Sequence, residues 1–418
     1  MSEETEILIV GGGAIGVCSA YYLNAAGKDV ALVDKGDICS GCSYGNGGLV
    51  VPSHSIPLSA PGVVSQSLKW MLNPESPFYI KPRLDRDLIS WLWYFRRACN
   101  EKHVVRATPV IRAMNMASVV LFEEMASLDG MDFGFEKKGT ITAYRTEKGL
   151  SKEVKDARFL SEMGIETRVL DADEMVGLNP GIQIRAIGGI YFPEDAHLVP
   201  HRFVRGLAEY IAGKGVRIHR ETEVLGFKTS RDRVVAVQTT RGDFRAEQVI
   251  LAGGSWSPMI AKDLHINLPI QPAKGYSITF KRPDVCPTTP FSLGEAKVGV
   301  TPMGDMLRFA GTLELAGLDF SINQRRVQAI LRAVPDYFPD LNPDHLDMIE
   351  IWCGLRPCTP DGVPFLGRTR AFDNVIVAAG HAMIGISLGP ITGKLVAELI
   401  SDEIPSIDLS ALKVDRFG

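Results

Sequence analysis

The first thirty-four residues constrain the fold most, because they combine short apolar runs with glycines at fixed spacing. Residues 7–10 form a continuous apolar run, as expected of a buried parallel strand. Gly11, Gly13 and Gly16 follow in G-x-G-x-x-G spacing and open a segment of helical character, and a second apolar run ends at Asp34. This order of strand, glycine turn, helix and strand predicts a βαβ unit that binds a dinucleotide.

Each residue type in this unit suits the chemistry of a bound dinucleotide. Gly11 permits a tight turn, Gly13 lets the backbone approach a pyrophosphate, and Gly16 lets the helix pack on the strand. The phosphates are expected at the positive end of the helix. The Asp34 carboxylate accepts hydrogen bonds from ribose hydroxyls and repels a 2′-phosphate, which disfavours NADP. The predicted cofactor residues of this unit also include Ala14, Ile15 and Lys35.

Three later segments favour FAD over NAD. Residues 41–54 are rich in glycine and small polar side chains, which suits a backbone that passes close to a flat ligand. Residues 245–258 and 373–400 each contain an apolar strand that runs into a glycine-rich loop, and the second continues as a helix from Pro390. The end of the chain therefore returns to the nucleotide fold, as the long isoalloxazine half of FAD requires. A helix N-terminus there would stabilise the negative charge of reduced flavin.

Composition limits the class of protein further. The 418 residues carry a formal charge of −4, which gives no reason to expect a nucleic-acid partner. Seven cysteines in a chain of this length do not form a disulfide framework. The acidic start lacks the features of a signal peptide, and no apolar run approaches a membrane span. We therefore expect a cytoplasmic protein without a metal site.

The whole chain resembles the FAD-dependent oxidoreductases of the D-amino-acid oxidase type, which include glycine and sarcosine oxidases. It is most similar to the bacterial D-amino-acid dehydrogenase branch, on the segments "SYGNGGLVVPSH" and "NPESPFYIKPRLDRDLISWLWYFRRACN". The resemblance implies an α/β fold with a Rossmann-type FAD-binding domain of the glutathione-reductase/p-hydroxybenzoate-hydroxylase kind. An interleaved α+β substrate domain on a mixed sheet would cover it. We expect the FAD-binding domain at residues 1–58, 198–262 and 350–418, and the substrate domain at residues 59–197 and 263–349.

The resemblance also implies which residues hold the cofactor. The glycines of the first turn and Asp34 would bind the ADP moiety, although the family often has Glu at the ribose position. Cys353 and Cys358 do not match the register of the cysteine that attaches flavin in sarcosine oxidases, so non-covalent FAD is expected. The further cofactor residues are Ser43, Asn46, Gly47, Gly48, Leu49, Val224, Gly253, Gly380, His381, Met383, Ile384, Gly385 and Ile386.

Arg356, between Leu355 and Pro357, is the leading candidate for contact with substrate. By resemblance, the arginine of "GLRP" clamps the substrate carboxylate, and the neighbouring prolines would hold it rigid. A structural ion pair with an acid such as Glu350 is the alternative. Tyr276 is a second candidate, since its strand faces substrate in the family, and His54 is a third. Arg308 is expected to point outward from its strand, and a position in the site is the alternative.

The expected reaction is the oxidation of a small or cyclic D-amino acid such as D-alanine, D-proline or D-hydroxyproline. Hydride would pass from the α-carbon to flavin N5, and the imino product would hydrolyse or stay cyclic. The chain has no second G-x-G-x-x-G motif for NAD, so electrons would leave to a quinone or another carrier. A glycine or sarcosine type of oxidase that produces peroxide is the alternative, and a non-catalytic nucleotide-binding protein is a distant one.

The segment "LISWLWYF" (88–95) has two interpretations. It can pack in the core, or it can contact a membrane surface, because arginines and a lysine flank it at positions 86, 96, 97 and 102. The second interpretation would place the protein peripherally on the inner face of the cell membrane. Cys39 and Cys42 have the spacing of a redox motif but lie in a loop after a strand, which does not favour redox activity.

Overall fold

A computed structural model describes residues 2–71, 73 and 75–417 of the chain. The strands are β1 (Ser2–Val10), β2 (Val30–Val33), β3 (Leu49–Val50), β4 (Phe78–Ile80), β5 (Thr140–Tyr144), β6 (Arg168–Asp171), β7 (Gly188–Phe192), β8 (Ala196–His197), β9 (Arg217–His219), β10 (Val224–Ser230), β11 (Arg233–Thr239), β12 (Gly242–Leu251), β13 (Gln271–Lys281), β14 (Phe291–Leu293), β15 (Val298–Met303), β16 (Met306–Leu315), β17 (Met348–Cys358), β18 (Phe365–Arg368) and β19 (Val375–Ala379).

The α-helices are α1 (Ala14–Ala25), α2 (Val63–Met71), α3 (Arg86–Ala98), α4 (Glu101–Ala126), α5 (Glu147–Glu162), α6 (Ala172–Leu178), α7 (Pro200–Ala212), α8 (Ser257–Lys262), α9 (Gln324–Tyr337) and α10 (Gly389–Ile400). Single 3₁₀ turns lie at Gly254–Trp256, Pro343–His345 and Ala382–Ile384.

The first sheet has the order β10-β11-β12-β1-β2-β9, and β19 and β18 continue it beside β12. Its central pairs, β12 with β1, β1 with β2, β2 with β9 and β12 with β19, are parallel. The central strands are apolar on both faces, since helices α1, α7 and α10 cover one face and residues of the 261–270 segment pack on the other. This is the doubly wound arrangement that the initial βαβ unit predicts.

The second sheet is mixed, with the order β17-β13-β16-β15-β14-β5-β7-β6 and with β4 beside β16. Most neighbours are antiparallel, but β5 with β14 and β4 with β16 are parallel. Helix α9 packs on β15 and β16 and completes a separate apolar core. The predicted α/β class, a Rossmann-type unit interleaved with a mixed-sheet unit, is confirmed.

The strand β17 lies across one predicted domain boundary. It pairs with β13 along its whole length, from Met348 to Cys358, and therefore belongs to the second sheet. The boundary that we predicted at residue 350 assigned most of this strand to the FAD-binding domain. Sheet membership places the change between the two units nearer residue 358. The sequence resemblance did not reveal this boundary. The reason is that β17 is the edge strand of the second sheet and lies next to the first unit.

One helix among the described residues, α4, is long and apolar enough to cross a membrane by length and composition alone. Its buried side chains include Ile111, Met114 and Phe122, and they share a core with α1, α7 and α10. The buried Asn115 amide oxygen also accepts a hydrogen bond from Ser387 Oγ at 2.7 Å, close to the start of α10. In this fold α4 is a core helix.

Helices α1 and α10 approach each other closely through glycines. A Cβ atom added to Gly393 of α10 would lie 2.5 Å from the carbonyl carbon and oxygen of Cys18 in α1. Gly389, one turn earlier, faces the Cys18 sulfur and Ala14. Because backbone cannot yield as a flexible side chain can, any larger residue at position 393 must push the helices apart. This contact fixes the position of the helix whose N-terminus follows the 380–388 loop.

We expect Gly393→Ala to destabilise the protein by about 1–3 kcal/mol, the usual cost of overpacking a rigid core. The free energy of unfolding measured by urea denaturation checks this. Gly177→Ala is the matched control, because this helical glycine in α6 is exposed and a Cβ there would meet no described atom within 4 Å. It should be neutral or stabilising by up to about 1 kcal/mol. Equal effects of the two changes would contradict the packing argument.

Candidate functional site

The carboxyl ends of β1, β2, β12 and β19 open into a cavity of about 590 Å³. This edge is where ligands bind in open α/β sheets, and the volume is typical of a cofactor or small-molecule site. Most of the predicted cofactor residues line it: Gly11, Gly13, Ala14, Ile15, Asp34, Lys35, Ser43, Asn46, Val224, Gly253, Gly380, His381, Gly385 and Ile386. The structure therefore brings together residues from both ends of the chain.

The glycine turn and Asp34 form one end of the cavity. The Asp34 carboxylate accepts hydrogen bonds from the backbone N–H groups of Gly12 (2.6 Å) and Gly36 (2.8 Å). Ser43 Oγ accepts one from Ala14 N at 3.1 Å, which ties the 41–49 loop to the start of α1. Gly11 has φ +121°, and a Cβ there would lie 2.4 Å from the carbonyl oxygen of Ala252. The site is thus a pre-formed cradle at a helix N-terminus with a fixed carboxylate beside it.

An aromatic stack forms part of the rim near Asp34. The Lys35 ammonium lies 3.8 Å from the centroid of the Trp256 ring. Phe320, from the second unit, stacks on the same indole at 6.1 Å and 16°. Trp256 and Phe320 both line the cavity. Cation–π and stacking contacts thus join the two units across the rim.

Arg308 fixes the 44–46 loop from the second sheet. Its guanidinium is 1% exposed and donates to the carbonyl oxygens of Tyr44 (3.1 Å) and Asn46 (2.8 Å). It also lies 3.7 Å from Glu350, which accepts a hydrogen bond from the Tyr44 hydroxyl. Our expectation that Arg308 points outward is wrong, because both faces of β16 are covered. The acid that we considered as a partner for Arg356 is occupied by Arg308.

His381 lines the cavity at the opposite end from Asp34. Its Nε2 lies 3.0 Å from Thr392 Oγ1 in α10, and its Nδ1 has no partner among the described residues. Burial lowers the pKa of His381 to about 3. The imidazole is therefore neutral at physiological pH, and it adds no charge to this part of the cavity.

Arg356 lies beside the cavity wall. Leu355 and Pro357 line the cavity, while the Arg356 guanidinium covers Gly275 on the neighbouring strand β13. One guanidinium nitrogen donates to the carbonyl oxygen of Thr312 at 2.6 Å. Among the described residues, no carboxylate oxygen lies within 4.0 Å of Arg356. The charge of this half-buried arginine is left without an acidic partner.

Thr312 has a backbone conformation that directs its carbonyl group to Arg356. It has φ +67°, which is an outlier for a β-branched residue. The pairing of β13 with β16 shifts register between Lys274 and Tyr276, and the extra residue on β16 falls at this point. A bulge thus turns the Thr312 carbonyl toward the guanidinium. Strain of this kind persists where the surrounding structure requires it.

Six predicted cofactor residues do not line the cavity: Gly16, Gly47, Gly48, Leu49, Met383 and Ile384. Gly16 packs against the Gly11 carbonyl group, where a Cβ would come within 1.8 Å. The Asn46 side chain accepts a hydrogen bond from Gly48 N (2.9 Å) and donates to the Met383 carbonyl (3.3 Å). These residues shape the backbone that surrounds the cavity, and direct contacts with a cofactor stay predictions.

The structure does not bring Tyr276 to the cavity. Side chains alternate along β13, so Tyr276 and Lys274 lie on the face opposite Gly275, which Arg356 covers. The Tyr276 hydroxyl donates to Glu314 (3.1 Å) within a buried charged network. The substrate contact that we predicted for this phenol has no support from this geometry, because the hydroxyl is already bound in the core.

His54 is also outside the cavity. Its ring is exposed, and Nδ1 lies 3.1 Å from Ser53 Oγ. The residues just before it, 51–53, connect the 41–49 loop to the second sheet through the buried Asp195. His54 and Tyr276 are therefore the two predicted catalytic residues that the structure separates from Arg356.

Sequence reasoning missed the cavity residue Trp352. It lies four positions before Arg356 on β17, on the same face of the strand, and its indole covers Gly354 and Gly45. The period of two along a strand was the available signal, since positions 352, 354 and 356 must share a face. Trp256 and Phe320 gave no such signal, because their stacking joins segments from different units.

The chain belongs to the family described as "FAD dependent oxidoreductase" (DAO), whose match covers residues 6–399. A D-amino acid dehydrogenase from Granulibacter bethesdensis is 33% identical over 418 residues, covering 99% of each chain. Another from Vibrio atlanticus is 32% identical over 420 residues, covering 99% of this chain and all of that protein. The protein is an FAD-dependent oxidoreductase, as the sequence resemblance implied.

A solved structure of glycine oxidase from Geobacillus kaustophilus has the same fold. It superposes with a TM-score of 0.81 at 23% identity and covers 100% of both chains. The L-proline dehydrogenase of P. horikoshii superposes with a TM-score of 0.79 at 19% identity. Likeness at these identities supports the fold.

FAD is the cofactor, and the cavity residues fit it. The glycine cradle at the start of α1 suits a pyrophosphate, and Asp34, fixed by two backbone amides, suits ribose hydroxyls. The cavity continues from there to Gly380, His381 and Gly385, which leaves room for the rest of the cofactor.

Asp195 joins the 51–53 backbone to the second sheet. Its buried carboxyl group accepts hydrogen bonds from Ser53 N (3.0 Å), Ser53 Oγ (2.6 Å) and Thr140 Oγ1 (2.5 Å). Burial outweighs these bonds and raises the pKa of Asp195 to about 7. The unfolded chain has a pKa near 3.9 at such a residue, so the folded state binds this proton more tightly.

Asp195 should make folding stability fall as pH rises. The contribution of the protonated Asp195 to the free energy of unfolding is fully present below about pH 4 and is lost as pH rises through 7. We expect Asp195→Asn to remove about 2–3 kcal/mol of the decrease between pH 5 and pH 8. The free energy of unfolding from urea titrations at both pH values measures this. Asn in place of the exposed Asp129 is the control, and a wild-type pH dependence that persists in Asp195→Asn would contradict the assignment.

Proposed function

We propose that the protein oxidises a D-amino acid and passes the electrons to a quinone or another carrier. The relatives named D-amino acid dehydrogenase match it over essentially its full length at 30–33% identity. The single observation that carries the proposal is the unpaired charge of Arg356 beside the FAD cavity. A free carboxylate is the substrate group that this charge would bind.

Within the part of the chain that the structure describes, the fully buried lysine and arginine side chains all have acidic partners, whereas the half-buried Arg356 has none. Arg308 lies 3.7 Å from Glu350, and Arg326 lies 2.8 Å from Glu314. Lys274 lies 3.1 Å from Asp319 and 3.6 Å from Glu314. Removing a charge from water is costly unless a partner is present. Arg356 is open to an anion from outside the chain, and its planar fork suits bidentate binding of a carboxylate.

The residues around Arg356 orient substrate and leave its chemistry to the cofactor. Bound FAD supplies a two-electron acceptor for the hydride on the substrate α-carbon. The Thr312 carbonyl holds the guanidinium, so the carboxylate is placed before the reaction begins. Because burial lowers the pKa of His381 to about 3, this imidazole adds no positive charge beside the cofactor site. The amine must lose its proton before oxidation, so we expect the rate of flavin reduction to rise with pH.

We also infer that FAD is held without a covalent bond. The thiols of Cys42 and Cys353 line the cavity. Burial raises the pKa of Cys42 and of Cys353 to about 11, although the nearby Arg356 charge lowers both values somewhat. Both groups stay protonated at neutral pH, and a thiol is a poor nucleophile compared with a thiolate.

Replacing Arg356 with Ala should raise the D-alanine concentration that half-reduces the flavin by about 100-fold or more, because a charged carboxylate contact is lost. Anaerobic bleaching of bound flavin measures this, and the flavin spectrum of the same samples should show FAD still bound. Acid precipitation of those samples should release all of the FAD. Lys in place of Arg356 should recover part of the affinity, since it keeps the charge but not the fork.

Arg106→Ala is the control, because this arginine of α4 is exposed and makes no described ion pair. Unchanged bleaching in Arg356→Ala would show that the carboxylate binds elsewhere. Failure of every D-amino acid to bleach the wild-type flavin, with bleaching by L-amino acids or none, would overturn the proposed substrate class.

The surface of helix α3 supports the proposal that a quinone in a membrane is the electron acceptor. One face of this helix is anchored, since Leu88 and Trp91 are buried and Trp91 Nε1 donates to the Cys358 carbonyl at 2.9 Å. The core interpretation of residues 88–95 therefore holds for this face, and the membrane interpretation is left as a proposal for the opposite face. The anchored face connects α3 directly to β17, the strand that carries Arg356.

The opposite face of α3 is exposed, apolar and basic. Ile89 is 56% exposed and Trp93 52% exposed, and Leu84 before the helix is fully exposed. Arginines 86, 96 and 97 flank them, and the Arg97 guanidinium lies 4.6 Å from the Trp93 ring. Positions 86, 89, 93 and 97 share one helix face. Aromatic and basic residues in this arrangement suit an anionic membrane surface, from which a quinone can reach the enzyme.

We expect a membrane-soluble benzoquinone in phosphatidylglycerol vesicles to reoxidise the substrate-reduced enzyme. The double change Ile89→Ser and Trp93→Ser should lower the ratio of the quinone rate to the rate with a soluble dye about tenfold, because apolar area for insertion is lost. Val169→Ser with Val176→Ser is the control, since these exposed valines lie on another surface. Reoxidation by oxygen with stoichiometric peroxide, and no preference for vesicles, would favour the oxidase alternative.

A further inference from the structure

Two glycines face each other across β13 and β17 beside the site. Gly275 and Gly354 are directly paired in the antiparallel register. Neither has a side chain, and both positions are covered from elsewhere: the Arg356 guanidinium lies over Gly275, and the Trp352 indole lies over Gly354. The two side chains therefore pack directly on the backbone of the glycine pair.

The part of the indole that covers Gly354 is its outer edge. A Cβ on Gly354 would lie 1.8 Å from Cη2, 2.3 Å from Cζ3 and 2.7 Å from Cζ2, all atoms of the six-membered ring. Gly45 also packs against this ring, where a Cβ would meet Cε3 at 2.0 Å. The ring is thus in close contact with two glycine backbones, and it lines the cavity.

The guanidinium and the indole edge are close enough to contact one small ligand together. Directly paired Cβ positions in an antiparallel sheet lie about 4.5–5.5 Å apart. The Arg356 Cζ atom lies 2.3 Å from one such position and the Trp352 Cη2 atom 1.8 Å from the other. The two side chains are therefore separated by at most about 10 Å across the glycine pair.

An amino acid fits within that upper limit. A carboxylate bound by both guanidinium nitrogens places its carbon about 4 Å from Cζ. The α- and β-carbons of the same molecule extend about 2.5 Å further. For a substrate lying across the glycine pair, the indole edge is then within about 4 Å of the β-carbon, which is ordinary contact distance.

We propose that Trp352 determines specificity by limiting the size of the substrate side chain. This inference rests on the proposed function, because it assumes that Arg356 holds the carboxylate. A methyl side chain fits between the anchored carboxylate and the indole, whereas a longer or aromatic side chain meets the ring edge. Because two glycine backbones hold the ring, it cannot move aside easily.

The first test compares D-alanine with D-phenylalanine as substrates of the FAD-loaded enzyme. Trp352→Phe keeps an aromatic ring over Gly45 but withdraws the edge above Gly354. It should raise the ratio of kcat/KM for D-phenylalanine to that for D-alanine about tenfold or more, the usual effect of one or two carbons in a tight pocket. Trp352→Tyr, which reaches further than Phe, should give an intermediate ratio. Trp70→Phe, the same change at a tryptophan outside this cavity, should leave the ratio unchanged.

The second test needs no turnover. Propionate and 3-phenylpropionate are the deaminated analogues of the two substrates, and their binding is read from the perturbed flavin absorbance. Trp352→Phe should increase the affinity of 3-phenylpropionate relative to propionate by the same factor. This arm also keeps the inference testable in any variant that binds FAD but turns over slowly.

The two proposals fail in different ways. Selective carboxylate binding without bleaching by any D-amino acid would overturn the proposed function but would still support the size limit set by Trp352. Bleaching by D-alanine, with the same D-phenylalanine to D-alanine ratio of kcat/KM in the wild type, Trp352→Phe and Trp352→Tyr, would overturn the size limit set by Trp352. The proposed function would then still stand. A ratio that falls in Trp352→Phe would show that the indole attracts large side chains, which also contradicts the proposal.

Discussion

The buried guanidinium of Arg308 is the interaction on which the rest of the site depends. It leaves β16 of the second sheet and binds carbonyl oxygens of the 44–46 loop, which belongs to the first unit. A buried arginine is costly unless its donors are satisfied, and here backbone oxygens, Thr279 and Glu350 satisfy them. The two units must therefore meet at this point, and the cavity between them has a fixed width.

In the second unit, the charged residues that stabilise the fold are separate from the charge that we propose binds substrate. Lys274, Arg326, Glu314 and Asp319 neutralise one another in a buried network on one face of β13. Arg356 lies on the other face, and among the described residues its side chain has the Thr312 carbonyl group as its one hydrogen-bond partner. Because the sheet lies between them, the network can hold the strand rigid without neutralising the charge that is left for an anion.

The sequence predicted the parts of this structure that depend on local chemistry. The glycine turn, the strand before it and Asp34 could be read directly, because spacing along the chain determines their geometry. Arg308 could not be placed, since the carbonyl oxygens it binds lie 264 and 262 residues away. The face of Tyr276 could not be predicted either. Nearly every residue of β13 is buried, so the strand shows no alternation of polar and apolar positions.

Chain order has a consequence for how the protein acquires its cofactor. The cavity is lined by residues from Val10 to Ile386, and β1 pairs with β12 and so, through it, with β19. Long-range parallel pairing of this kind closes late in folding, because the loop entropy must be lost before the contacts form. FAD therefore meets its whole site only when nearly all of the chain has been synthesised. From then on it stabilises the native state by mass action, so the supply of flavin in the cell influences how much of the protein stays folded.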